Sequence, residues 1–219
     1  MGRKIDLLAN YPKTKRNVKD RGATKTEGDR AIARKFGREF FDGDRKVGYG
    51  GFSYNPRFWQ PVIPTFQKHF GLNSDTSVLD VGCGKGFMMH DMVELIPGIT
   101  VKGVDISEYA IKNTIEDMKP HVQVANAKDL PFEDNSFDVV ISINTVHNLE
   151  RDECARALQE IERISKGKSF ITVDAYRSDE EKELMYAWNL TAKTVMHEDE
   201  WIRFFKEAGY TGDYYWFIP

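Results

Sequence analysis

The sequence predicts an α/β fold built on a doubly wound, mostly parallel sheet, and three observations carry that prediction. From residue 78 onward, short apolar runs alternate with helical stripes, an order that demands parallel strands joined by helices on both faces. The first run, 78–82, passes into a turn with glycines at 82, 84 and 86. The second, VKGVD at 101–105, closes on Asp105. Strand, glycine-rich turn, helix and a strand ending in an acid together make a pocket for the ribose of a nucleoside-containing ligand.

Residues 1–30 are polar, with scattered Lys, Thr and Gly, and read as a weakly ordered or docked arm. From 29 to 41, Ile32, Phe36 and Phe40 recur at helical spacing beside Ala33 and Phe41. The stretch 42–59 is too dense in glycine and aromatics for a long helix or a plain strand. A helical pattern returns at 59–70 through Val62, Ile63, Phe66 and Phe70, and Gly71 ends it. Residues 1–75 therefore form an arm, helices and an aromatic, glycine-rich lid ahead of a core domain at 76–219.

In the core, the strand at 78–82 leads to a helix over 86–96 that Pro97 stops. The strand at 101–105 leads to a helix capped by Ser107, with Ala110, Ile111, Thr114, Ile115 and Met118 on one face. A short strand at 122–125 precedes a Leu-Pro-Phe loop, and the strand at 138–143 follows. Cys154, Leu158, Ile161 and Ile164 face inward on a helix over 151–165 that ends near Gly167. A strand at 169–174, a helix at 199–208 bearing Trp201, Phe204 and Phe205, and an aromatic strand at 214–218 complete the chain.

Composition narrows the class. At 219 residues the chain can bury a sizeable core, and no apolar run approaches the ~20 residues that span a bilayer. The beginning lacks the apolar stretch and small-residue cleavage site of a signal peptide, and only Cys83 and Cys154 are present, which together point to a cytoplasmic protein. Residues 1–46 carry 14 Lys and Arg against 7 Asp and Glu, on an otherwise acidic body. Such an arm suits RNA, an anionic substrate or lipid phosphate, or packs on its own acidic core. No His/Cys/Asp cluster has metal-ligand spacing, so no metal is expected.

The spacing of the glycines selects among nucleotide ligands. A dinucleotide fingerprint needs glycine at 87, where this chain has Phe87, and a phosphate loop needs Ser or Thr after Lys85, where it has Gly86. The remaining pattern, D-x-G-x-G-x-G at 80–86, resembles the class I S-adenosylmethionine-dependent methyltransferases, especially small bacterial enzymes with a bare Rossmann-like core. A second segment, VANAKDLPFEDNSFDVVISI at 124–143, is similar to the loop and fourth strand of that family. The resemblance covers about residues 76–175 well and the ends loosely. It implies a seven-stranded sheet whose last strand runs antiparallel, and S-adenosylmethionine as cofactor.

Carried over residue by residue, the resemblance places Asp80, Gly82, Cys83, Gly84 and Gly86 in the cofactor turn and Asp105 on the ribose. Ile106 would lie on the adenine face, Asn126 and Ala127 at its amino edge, and Asn144 beside the methionine part. The family usually has Asp where this chain has Asn126, whose amide oxygen can still accept a hydrogen bond from the adenine amine. Cys83 reads as a small filler rather than a nucleophile.

On the acceptor side, His147 stands just past the fourth strand, as a general base or as a rim residue shaping the pocket. Tyr49 and Tyr54 in the lid are further catalytic candidates, with Gly48, Gly50 and Gly51 as hinges, or the lid is an Ω-loop packed by its own aromatics. Arg57 would pair with a carboxylate or phosphate on either ligand, and Tyr176 and Trp188 would wall the far side of the acceptor pocket.

Three functions compete. The first is methyl transfer to an oxygen or nitrogen of a small molecule, such as a sugar or surface-polysaccharide precursor. The second is an RNA or protein methyltransferase gripping its substrate with the basic arm; after the fourth strand this chain reads Asn144-Thr145-Val146-His147 and lacks the Asn/Asp-Pro-Pro-Tyr/Phe tetrapeptide of many amino-directed nucleic-acid enzymes. The third is a protein that only binds the cofactor, or cyclises or cleaves it.

Overall fold

The computed structural model describes residues 2–12, 25–48 and 53–218. Among these, seven strands form one sheet: β1 (Ser77–Val81), β2 (Thr100–Asp105), β3 (Val122–Val124), β4 (Val139–Ile143), β5 (Ser169–Tyr176), β6 (Met196–His197) and β7 (Asp213–Phe217). Their order is β3-β2-β1-β4-β5-β6, with β7 also paired to β5. The helices are α1 (Glu27–Ala33), α2 (Arg38–Asp42), α3 (Ile63–Phe70), α4 (Phe87–Leu95), α5 (Glu108–Lys112), α6 (Arg151–Ile164), α7 (Asp179–Trp188) and α8 (Glu198–Ala208). The chain winds outward from β1 to β3 and then returns to β4 on the other flank of β1. That reversal opens a crevice beyond the carboxyl ends of β1 and β4.

Alternation along the strands divides the core in two. Leu79, Val81, Val140, Ile171 and Val173 point to one face and pack with α6 and α8 residues such as Leu158, Ile161, Trp201 and Phe205. Val78, Val101, Val139 and Phe170 point to the other, against Phe66 of α3, Met88 and Met92 of α4, and Leu7 of the arm. None of the described helices is long and apolar enough to cross a membrane.

The last strand differs from the expectation drawn from resemblance. It runs parallel to β5, from Phe170 opposite Asp213 to Asp174 opposite Phe217. The cause is α8. It starts at the carboxyl rim, directly after β6, and carries the chain back to the opposite edge, so the next strand must run upward again. Residues 3–5 of the arm then cover the free side of β7, with Ile5 N donating to Tyr214 O at 2.9 Å and Tyr214 N donating to Arg3 O at 3.1 Å. Leu7 is buried behind them.

Several helices also differ in extent. The stripe over 29–41 is two helices, because Phe36 adopts a left-handed φ of 48° and Gly37 follows it. The helix capped by Ser107 stops at Lys112, and a 3₁₀ turn at Glu116–His121 brings Met118 into the core instead. Helix α3 begins only at Ile63, after a series of turns. Helix α7 was not anticipated.

Helix α1 opens with a capping box: Thr26 Oγ1 accepts from Asp29 N at 3.2 Å, and the Asp29 carboxylate accepts from Thr26 N at 2.7 Å. Its Arg30 then spreads over the end of α7, donating to the carbonyls of Tyr186 (3.1 Å), Ala187 (3.3 Å) and Asn189 (3.2 Å). Lys25 Nζ adds a bond to Trp188 O at 2.5 Å. Two cations thus satisfy carbonyls that the last turn of α7 leaves open.

Candidate cofactor and acceptor site

The glycine turn is held from below by β2. Gly82 N and Cys83 N both donate to Val104 O, at 2.7 and 3.0 Å, and Gly84 N donates to the Asp105 carboxylate at 2.8 Å. The other oxygen of Asp105 accepts from Ser107 N at 2.8 Å. Gly82 has φ of +89°, and a Cβ on it would collide with Thr145 Oγ1. Both facts require glycine there. Cys83 is buried, and burial pushes its thiol well above its usual range, which fits a filler and not a nucleophile. It has room only because β2 carries Gly103, where a Cβ would lie 2.8 Å from Cys83 Sγ and 2.5 Å from Met89 Sδ. The sequence reading did not single out Gly103; a glycine inside an apolar strand is the signal that marks such an approach.

Two carboxyls crowd the end of β1 and β2. Asp80 is 5% exposed, and its carboxyl takes no side-chain hydrogen bond among the described residues. Burial, with Asp105 nearby, pushes its pKa up to about 8. Burial also raises Asp105, against the pull of its bonds from the Ser107 and Gly84 amides. Beside them Ile106 is 50% exposed, an open apolar face on the rim. Asn126 folds back on its own turn, its Oδ1 accepting from Lys128 N at 3.2 Å, which leaves the oxygen's second lone pair. Ala127 is buried below it.

At the end of β4, Asn144 takes a left-handed φ of 53°. Its backbone N and its Oδ1 both bond the Thr172 hydroxyl at 2.9 Å, and Asn148 Nδ2 donates to its carbonyl at 3.1 Å. His147 is 3% exposed, and its Nδ1 accepts from Asp174 N at 2.8 Å. Burial holds its pKa below 6.5, although Asp174 pulls the other way. A buried, neutral ring whose Nδ1 is already taken has the geometry of a brace, the rim-shaping one of the two readings of His147. Asp174 extends the brace, since its carboxylate accepts from Asn189 Nδ2 at 2.9 Å.

The remaining candidates divide. Tyr49 lies outside the described residues, as do Gly50, Gly51 and Phe52. Tyr54 donates its hydroxyl to Asp91 Oδ1 at 2.6 Å and packs edge-on to His90 of α4. Burial and that bond push its pKa up to about 12, so its geometry is that of an anchor rather than a base. Arg57 is exposed over the ring of Phe58, at 4.7 Å, and the structure does not group it with the rim residues. Tyr176 and Trp188 are brought together at the ends of β5 and α7, around Met185, Val195 and Phe217.

The placement of one covering element is not legible in the sequence. Helix α2 lies on the glycine turn: Lys85 Nζ donates to both oxygens of Asp42, at 2.5 and 2.7 Å, and Tyr109 donates its hydroxyl to the same carboxylate at 2.7 Å. Helical spacing marked Phe40 and Phe41 as core, but pairing between Asp42 and Lys85, 43 residues apart, has no local signature.

The profile of the methyltransferase-domain family matches residues 72–209, more than half of the chain. The chain belongs to that family. Its cofactor is S-adenosylmethionine, and the residues present fit it: a cradle closed to side chains at Gly82, the buried carboxyl of Asp80 beside the half-buried one of Asp105, and an exposed apolar rim. Among relatives of this methyltransferase-family chain, the tRNA (carboxymethyluridine(34)-5-O)-methyltransferase of Arabidopsis thaliana is 32% identical over 145 residues, which are 65% of this chain and 33% of the relative. The mitochondrial arginine-hydroxylase NDUFAF5 of Mus musculus is 35% identical over 89 residues, 40% of this chain and 25% of the relative. The chain therefore spans a third or less of either relative. A chain in the solved complex of the Haloferax volcanii Trm112 methyltransferase activator with a methyltransferase aligns with a TM-score of 0.52 and 25% identity, covering 65% of each chain.

Proposed function

We propose that this chain transfers the methyl group of S-adenosylmethionine to an oxygen or nitrogen of a small-molecule acceptor. The observation that carries the acceptor's size is the roof over the carboxyl rim. Arg30 and Lys25 pin α1 to the end of α7, while Asp42 pins α2 to the glycine turn, so the two helices bridge the rim from β5 to β1. Such a roof suits an enclosed acceptor better than a polymer lying across the rim.

When bound, the cofactor supplies an already activated methyl group on a sulfonium. The protein's part is to align the partners and keep water out. In this reading Asp105 receives the ribose hydroxyls, Ile106 packs on the base, and Asn126 and Ala127 border the adenine edge. Asp80 faces the cationic end of the methionine part. Asn144 shapes the methyl end of the site, and His147, through Asn144 and Asp174, positions it. Tyr176 and Trp188 wall the acceptor side, and α1 and α2 supply the cover.

Calorimetric titration with S-adenosylmethionine and S-adenosylhomocysteine, followed by transfer of a labelled methyl group to a panel of small hydroxyl and amino compounds, tests the reading. Micromolar binding with a labelled small product is the expected outcome. Binding with label transferred only to RNA would favour a second reading, which rests on the tRNA methyltransferase relative and the basic arm. No binding of either nucleoside would remove the proposal.

A further inference from the structure

Helix α2 is a five-residue helix set between two glycines, Gly37 as its N-cap and Gly43 as its C-cap. No side chain caps its start, and the residue before Gly37 is Phe36 in its left-handed conformation. Its isolated stability is negligible, since so short a helix cannot offset the cost of its nucleus. It is held in place by what it touches. Phe40 is buried, and Ser107 Oγ donates to Phe36 O at 2.5 Å at the hinge. Asp42 takes three charge-assisted or hydroxyl bonds from Lys85 and Tyr109.

The position of this clamp matters more than its number of bonds. Lys85 lies inside the glycine turn, between Gly84 and Gly86, and its side chain is 9% exposed. Tyr109 lies on α5, directly after the ribose acid and its exposed neighbour Ile106. The clamp therefore ties α2 to both elements that border the cofactor crevice. It also sets the ring of Phe41: a Cβ on Gly84 would lie 3.6 Å from Phe41 Cε1, and the ring stacks on Tyr109 at 6.4 Å and 28°. Gly84 has φ of +54°, so a bare backbone faces that ring.

We propose that α2 is a swinging wall of the cofactor site, hinged at Gly37 and Gly43 and latched by Asp42 on Lys85 and Tyr109, so that the cofactor enters and leaves only when the latch opens. The proposal rests on the cofactor reading given above. Asp42, Lys85 and Tyr109 are positioning residues in it: they hold Phe41 against the turn. Phe41 is the residue that would contact the bound ligand. Burial opposes ionisation of Asp42, but the bonds from Lys85 and Tyr109 and the charge of Lys85 outweigh it and keep the carboxyl below its usual range. The latch is therefore set throughout the neutral range and opens by thermal fluctuation, not by titration.

Stopped-flow fluorescence of S-adenosylhomocysteine association and dissociation tests this on the full chain, with melting temperature as a control for folding. In Asp42→Asn, both rate constants should rise, dissociation by about tenfold and association by less, because a weaker latch populates the open state more. Tyr109→Phe, which removes one hydroxyl only, should shift both in the same direction by about threefold. Lys85→Met should match Asp42→Asn, and the double variant should add little, since both changes break one latch. A structural role alone would lower the melting temperature without raising the association rate. Dissociation rising alone, or neither constant changing, in a wild type that binds S-adenosylhomocysteine would overturn the latch and leave the cofactor reading standing. A wild type that does not bind S-adenosylhomocysteine would overturn both.

Discussion

Asp80 and His147 are buried ionisable residues on the same rim, and their protonation pulls stability in opposite directions. Asp80 has a folded pKa of about 8 against 3.8 in the unfolded chain, so its stabilising contribution is complete below pH 3.8 and is lost as pH rises through about 8. His147 has a folded pKa below 6.5, so its contribution is present above pH 6.5 and is lost as pH falls through the folded value. Unfolding measured across pH should therefore fall less steeply below pH 6.5 in His147→Gln than in wild type. His147→Ala should cost about 2–3 kcal/mol of stability, because it leaves the Asp174 N–H buried without its acceptor. Retained stability with lost turnover would instead restore His147 as a base.

The same residue scale sets two predictions for ligand binding. A cation bound beside Asp80 favours the carboxylate, so the gain in melting temperature with saturating S-adenosylmethionine should grow from about pH 6 to about pH 9 and should be flat in Asp80→Asn. Asp105→Ala should weaken S-adenosylhomocysteine binding at least about tenfold, a difference of roughly 1.4 kcal/mol, since it also releases Gly84 N and Ser107 N from their acceptor. Calorimetry checks the second; unchanged affinity would remove Asp105 from the site.

At the scale of elements, short helices are held by one another's open ends. Arg30 serves three carbonyls at the end of α7, and that is the main polar tie between α1 and the body. Arg30→Ala should cost about 1–2 kcal/mol and raise amide exchange in α1 and in the last turn of α7 while β1 and β4 stay protected. Exchange confined to α1 would mean that α7 is capped some other way. The alternation of strand and helix in the core is legible in sequence because each strand buries two faces and each helix one. The end of α5 and the parallel course of β7 are not, because both depend on neighbours far along the chain. Ile115 N bonds Lys85 O at 3.0 Å instead of continuing α5, and α8 returns the chain to the lower edge of the sheet before β7 begins.

For the whole molecule, the arm closes the sheet. Residues 3–5 pair with the outer side of β7, and Leu7 fills the core beside α3. An uncovered β7 would present a row of free backbone donors and acceptors to another chain. Leu7→Ala should cost about 2–4 kcal/mol by leaving a cavity, measured by urea unfolding. Removing residues 1–8 should add self-association that size-exclusion chromatography detects; a monodisperse, equally stable truncated protein would show that the arm is dispensable.

The sequence by itself determined the α/β order, the glycine turn at 82, 84 and 86 and the acid at 105, because these rest on local backbone requirements and on periodicity within single elements, while the cofactor followed from the resemblance of 80–86 and 124–143 to the methyltransferases. It also identified His147 and Tyr54 as residues of consequence, since polar side chains next to strand ends and in a glycine-rich segment are rarely idle. What they do was decided only in three dimensions. The Asp174 amide occupies Nδ1 of His147, and Asp91 occupies the hydroxyl of Tyr54. The roof was decided there too, for the bonds from Arg30 to α7 and from Lys85 to Asp42 join residues that no local pattern connects. Proton-transfer capacity depends on which partners a side chain has already taken, and those partners come from elsewhere in the chain.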